Sequence, residues 1–143
     1  MPRPAQNPIG LELASVARDV GRAFDAALAR EGGSRPTWLV LLSLKTRRTA
    51  NQRELAAAVG IQDATLTHHL NGMEAEGLLT RRRDPANRRV HLVELTEAGD
   101  AVFHRLRTVA QHHDSRLRSG FSDAELDTLR TLLGRLRDNV TPG

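Results

Sequence analysis

The 143-residue sequence contains no cysteine, three phenylalanines and a single tryptophan. Without cysteine there are no disulfides, thiolate metal sites, cysteine nucleophiles or thiol-based redox sensing. With so few aromatics the core must be built from Leu, Val and Ala, residues that favour helices. No apolar run approaches the ~18–20 residues needed to span a membrane, and no apolar segment follows a basic start, so a cytoplasmic protein is expected. The sequence also lacks a nucleophile elbow, a Gly-rich phosphate loop and an HExxH helix, which argues against an enzyme and gives no reason to expect a cofactor.

What is abundant is arginine, and it is unevenly placed. Between Lys45 and His91 there are nine cations against five anions, and elsewhere twelve of each, so the whole net charge of +4 lies in the middle third. All but one of these nine cations are Arg, the side chain suited to bidentate contacts with phosphate and guanine. Positive charge segregated between neutral flanks is the footprint of a segment that binds a polyanion, with a merely solvated charged face as the alternative.

The length fits one domain, residues 1–143. Apolar residues at Ile9, Leu13, Val16, Val20, Phe24 and Leu28 step by three and four, which predicts an amphipathic helix stopping near Gly32. A second helix opens at Ser34-Arg35-Pro36 and carries Trp38, Leu41, Leu42 and Leu44. Asn51 and Glu54 form a capping pair for a third, which holds Leu55, Ala56 and Val59 and ends at Gly60. A fourth runs from about Asp63 to Glu76 with Leu66, Leu70 and Met73 inward. Two short helices joined by a Gly-containing turn read as a helix-turn-helix.

From Leu78 the period changes to two. Residues 78–83 and 89–96 are expected as strands joined by a turn at Asp84-Pro85-Ala86-Asn87, with His91, Val93 and Leu95 on one inward face. A β-hairpin directly after a helix-turn-helix makes a winged helix. A long helix then starts at Thr96-Glu97 with a stripe of Val102, Phe103, Leu106, Val109, Ala110, His113 and Leu117. Ser122 and Glu125 form a capping box for the last helix, flanked by Phe121 and Leu126 as a hydrophobic staple. Its stripe is Leu126, Leu129, Leu132, Leu133, Leu136 and Val140. The terminal helices carry more apolar surface than so small a body can cover, which points to pairing with a second copy. The fold class is thus mainly α with a small β-hairpin wing (α+β). The winged helix-turn-helix occupies residues 36–96, and dimerisation helices occupy residues 8–31 and 97–140.

The segments NQRELAAAVGIQDATLTHHLNGMEAEGLL and RRRDPANRRVHLVELTEAG, in register and flanked by helices at both ends, resemble the MarR family of bacterial transcriptional regulators. EAEGLLTRRRDPANRR and the LTEAG after it are the most specific pieces. The resemblance implies a homodimeric regulator, triangular in outline, whose recognition helices enter successive major grooves of a pseudo-palindromic operator in double-stranded DNA. It also implies a small-molecule effector, often an anionic aromatic, acting in a cleft between the dimer helices and the DNA lobe. One departure from the family pattern is Asn87, which stands where an Asp is common at the wing tip. Asn can orient Arg88 or Arg89 but cannot neutralise them.

With Leu66, Leu70 and Met73 buried, a 100° step per residue turns Ala64, Thr67, His68 and Asn71 outward. Ala64, Thr65, Thr67 and His68 are the expected base readers, with Asn71 further along. None makes the Arg-to-guanine pair, so backbone contacts and DNA shape must supply part of the specificity. Asn51, Gln52 and Arg53 are expected at phosphates, where the start of a helix favours an anion, with Arg47 and Arg48 assisting. In the wing, Arg88 and Arg89 are expected in a minor groove, and Asn87, Arg81 and Arg83 complete the surface. Trp38 and His69 are candidates to line an effector pocket, with core packing as the alternative for each. A metal-responsive regulator using one His from each of the pairs His68-His69 and His112-His113 is a second reading, although adjacent helical residues point 100° apart and do not chelate as a pair. A winged helix that contacts protein rather than DNA is a third.

Overall fold

A computed structural model describes residues 7–47 and 49–143; Arg48, an expected phosphate contact, lies outside the described residues. Six helices and three strands follow in the order α1 (Ile9–Arg30), α2 (Arg35–Arg47), β1 (Thr49–Asn51), α3 (Gln52–Val59), α4 (Asp63–Ala75), β2 (Leu79–Arg83), β3 (His91–Leu95), α5 (Glu97–Arg118) and α6 (Asp123–Val140). The chain forms two compact units, residues 1–110 and 111–143, with the boundary inside α5.

In the first unit the helix boundaries follow from local chemistry. Asn51 caps α3 by accepting from the Glu54 backbone N–H at 2.7 Å, and its Nδ2 donates to the Glu54 carboxylate at 2.5 Å. Gly60 ends α3 at φ +75°, a conformation costly for residues with a Cβ, and turns the chain into α4. Thr96 starts α5 in the same manner as Asn51 starts α3: its hydroxyl accepts from the Gly99 N–H at 3.0 Å and donates to the Gly77 carbonyl at 2.6 Å. A Cβ at Gly99 would stand 2.0 Å from the Leu78 carbonyl oxygen. The LTEAG segment is therefore the joint that presses the start of α5 onto the entry to the wing.

The core of this unit is Leu28, Trp38, Val40, Leu41, Leu44, Leu55, Leu66, Leu70, Met73, Leu79, Val93, Phe103 and Leu106, with smaller residues between them. Trp38 stacks on Phe103 with centroids 5.4 Å apart, and Lys45 Nζ lies over the Phe103 ring, 5.8 Å from its centroid. Within α2 the inward face includes Val40, fully buried, while Leu42 is partly exposed; the short helix has too few apolar steps for the sequence to settle which leucine turns out.

The sheet departs from the expected hairpin in three respects. It has three antiparallel strands in the order β1-β3-β2, because Thr49–Asn51 pairs with β3 in the register Ala50 opposite Val93. A three-residue strand has no alternation to read, and its partner lies more than forty positions away. The wing loop is also longer than four residues: β2 ends at Arg83, β3 begins at His91, and the loop is closed by Asp84 N–H donating to the Val90 carbonyl at 2.9 Å. Finally, His91 is exposed rather than inward. Val93 is the last position on that face covered by the core, since β1 stops opposite Leu92 and the sheet continues past it as two strands.

In the second unit, Ser122 and Glu125 form the expected capping box: the Ser122 hydroxyl accepts from Glu125 N–H at 3.1 Å and Glu125 accepts from Ser122 N–H at 2.9 Å. No residue of α6 is buried, and Leu129, Leu132, Leu133 and Val140 are exposed; so is Phe121, the expected staple residue. On α1, Ile9, Leu11 and Val16 are each more than half exposed. No helix among the described residues is long and apolar enough to cross a membrane.

Candidate nucleic-acid interface

The short turn at Gly60 sets α3 and α4 side by side, and β2 returns along α4. A groove of about 500 Å³ opens between the first residues of α3, the start of α4 and the wing, lined by Asn51, Gln52, Arg53, Asp63, Asn87, Arg89, Val90 and His91. Five of these, Asn51, Gln52, Arg53, Asn87 and Arg89, are residues that the sequence singled out from two separate segments. Asp63, Val90 and His91 were missed. Asp63 reads as an ordinary first-turn acid that favours the helix dipole, and the inward assignment of His91 hid it.

Hydrogen bonding divides the expected contact residues into two groups. The first group is held by the protein. Asn51 is occupied by its cap. Gln52 Nε2 donates to Thr67 Oγ1 at 2.6 Å, and that hydroxyl donates to the Asp63 carbonyl at 2.9 Å, so α3 and α4 are pinned at their outer faces. Arg81 donates to Asn71 Oδ1 at 2.5 Å and to both Glu74 carboxylate oxygens, while its backbone N–H donates to Glu74 Oε2 at 3.0 Å. The Arg81 side chain is only 19% exposed. Its hydrogen bond, opposed by desolvation and aided by its charge, holds the Glu74 carboxyl below the usual 4.5. Arg83 donates to the Arg88 carbonyl at 3.0 Å, and Asn87 Oδ1 accepts from the Arg89 N–H at 3.2 Å. Asn87 thus shapes the wing tip through a side-chain-to-backbone turn, a role Asn fills as well as Asp.

The second group is free. The side chains of Arg53, Arg88 and Arg89 make no hydrogen bond or ion pair among the described residues. Ala64, Thr65 and His68 are exposed along α4, with the His68 ring set edge-on to His69 at 5.9 Å. Neighbouring cations are neutralised where they stand: Arg47 by Glu54 at 3.0 Å, Arg82 by Glu94 at 2.9 Å, and Lys45 by Asp100. Arginines close in sequence therefore have different physical states, which composition alone does not distinguish.

Trp38 is 8% exposed and belongs to the core, and His69 is partly buried on α4. An apolar-walled cavity of about 580 Å³ is bordered by Ala29, Arg35, Pro36, Leu39, Val59 and Ile61, with neither candidate among its lining residues. Among the described residues no three His, Cys, Asp or Glu side chains are grouped to hold a metal ion. His104 instead lies 3.3 Å from Asp100, which Lys45 also contacts.

Residues 34–91 match the model of the MarR family. Among solved structures, the transcriptional repressor CouR bound to a 23-mer DNA duplex has a TM-score of 0.82 at 28% identity, covering 91% of this chain and 92% of that one. A mutant MarR from E. coli complexed with operator DNA has a TM-score of 0.81 at 23% identity over 90% of this chain and 93% of that one. BpsR from Bordetella bronchiseptica, whose DNA binding is regulated by 6-hydroxynicotinic acid, has a TM-score of 0.83 at 23% identity over 96% and 99% of the two chains. The latter two likenesses concern the fold.

Proposed function

Because the chain belongs to the MarR family of DNA-binding transcriptional regulators, we propose that it works in the cytoplasm as a homodimeric repressor on a pseudo-palindromic operator and is released by a small-molecule effector. The function is regulatory, not catalytic. In this reading residues 36–96 are the DNA-binding lobe and residues 8–31 and 97–140 the dimerisation helices. Recognition helix α4 enters the major groove with Ala64, Thr65, Thr67, His68 and Asn71 toward the bases. Arg53 meets a phosphate at the start of α3, beside the capping Asn51 and the pinned Gln52. Arg88 and Arg89 enter the flanking minor groove, where narrow A·T-rich segments concentrate negative potential. Asn87 and Arg83 hold that tip in shape, and Arg81 acts from behind α4.

The observation that carries this reading is the sorting of the arginines. Free Arg53 and Arg89 line one groove, with free Arg88 next to Arg89 at the wing tip, while their neighbours are neutralised, and an interface for protein rather than DNA has no need of that arrangement. Repression rests on likeness to CouR, named a repressor, and release by an anionic aromatic effector on the resemblance to the MarR family. Six free arginines in a dimer give a slope of log affinity against log salt near −5, a loss of about 10³ in affinity between 50 and 200 mM. Arg88→Ala with Arg89→Ala should lower the magnitude of that slope by about 3.6 and weaken operator binding, measured by fluorescence anisotropy on a labelled duplex. Wild-type binding without a salt slope would overturn the DNA reading; an unchanged slope in the double variant would remove the wing from it.

A further inference from the structure

Asn71 and Arg81 are separated by ten residues and joined by one hydrogen bond, and that bond limits what Asn71 can read. Arg81 NH2 donates to Asn71 Oδ1 at 2.5 Å, and only the amide oxygen can accept from a guanidinium, so the orientation of the amide is set by chemistry. The guanidinium is itself held by Glu74, which takes its NH2 at 3.2 Å and its backbone N–H at 3.0 Å, and the side chain is mostly buried against α4. Asn71 is exposed. Both N–H donors of Nδ2 are thus unengaged among the described residues, whereas one of the two lone pairs of Oδ1 is taken by the Arg81 cation.

An Asn that reads adenine uses both ends of the amide, accepting from N6 and donating to N7. The Asn71 oxygen has one lone pair left, and its bond to a cation makes it a weaker acceptor for N6 than a free amide. Guanine instead offers two adjacent acceptors, N7 and O6, matched to a pair of donors. We propose that the Glu74-Arg81-Asn71 chain makes Asn71 a donor-biased reader that selects guanine over adenine at its base, with Arg81 as the residue that sets this specificity by positioning Asn71. The inference rests on α4 being the recognition helix. Thr67 has the complementary restriction: its only hydroxyl donor is spent on the Asp63 carbonyl and one lone pair on Gln52, so it has no donor to offer DNA.

The test is selection of bound sequences from random duplexes with four full-length proteins: wild type, Asn71→Ala, Arg81→Met and Glu74→Gln. Asn71→Ala identifies the column that Asn71 reads as the one whose preference flattens. In the wild type that column should hold guanine, with adenine disfavoured at least about fivefold on the contacted strand. Arg81→Met frees the Asn71 oxygen and should raise adenine in that column alone, several-fold relative to guanine. Glu74→Gln loosens the same guanidinium without removing it and should move the column in the same direction by less; it serves as the second variant should Arg81→Met fold poorly. A loss of stability without a specificity role would lower affinity across all columns and leave the column's preference in place. Adenine in the wild-type column, no flattened column in Asn71→Ala, or an unmoved column in both other variants overturns the proposal. No enriched motif from the wild type would instead overturn the DNA reading beneath it, so the two failures are distinguishable.

Discussion

At the scale of single residues, spacing singles out positions, and hydrogen bonding separates those the protein holds from those it leaves free. Arg81, Arg82 and Arg83 are consecutive, yet one braces α4, one pairs with Glu94 and one binds the Arg88 carbonyl. Sequence alone places Arg81 and Arg83 on one strand face and Arg82 on the other, but it does not say which acid each meets. Gly99 shows the same limit. It reads as a small residue in a helix start, and only the packing reveals a carbonyl oxygen 2.0 Å from where its Cβ would be. Gly99→Ala should therefore destabilise the protein by about 1–3 kcal/mol despite alanine's better helix propensity, because backbone must move to admit the methyl group. Thermal unfolding followed by circular dichroism checks this, and a raised Tm would contradict the close approach.

At the scale of elements, caps and turns were legible because they depend on neighbours in sequence. Asn51 with Glu54, Gly60, and Ser122 with Glu125 act as their spacing indicates. The bond between α4 and β2 was not legible as such, since Glu74 and Arg81 belong to different elements and meet only when β2 folds back. Their pairing has a consequence with pH. The Glu74 carboxyl is held below 4.5 in the folded protein, so its contribution to stability is fully present above about that pH and is lost as pH falls through the lowered folded value. Comparing Tm at pH 7 and at pH 3.5, the wild type should lose more than Glu74→Gln, whose side chain does not titrate. Equal losses would show that the pair does not contribute to acid stability. Strand β1 was invisible for a related reason: three residues carry no period, and the strand exists because β3 supplies its hydrogen bonds.

At the scale of the whole molecule, each unit leaves apolar surface uncovered. In residues 111–143 no side chain of α6 is buried, and in residues 1–110 the first turns of α1 expose Ile9, Leu11 and Val16. Patches of this kind on a small chain are suited to pairing with a second copy, which is how the proposed dimer would form. Leu132→Glu with Leu133→Glu should shift sedimentation velocity from dimer to monomer. Affinity for an inverted-repeat duplex should then fall by ~10²-fold or more, because two linked recognition helices become two independent ones. A double variant that stays dimeric would exclude this stripe from the interface.

The helix count, the helix-turn-helix, the presence of a wing and the concentration of positive charge were determined by sequence alone, because each depends on periodicity, capping or composition within a short window. The exposure of His91, the third strand and the contrast between held and free arginines were decided by tertiary structure, because each depends on a partner brought near by folding. Arg53, Arg88 and Arg89 carry free charge, while Arg47, Arg81 and Arg82 each meet an acid that folding brings within 3.2 Å. That is a property of distances, and the order of residues does not contain it.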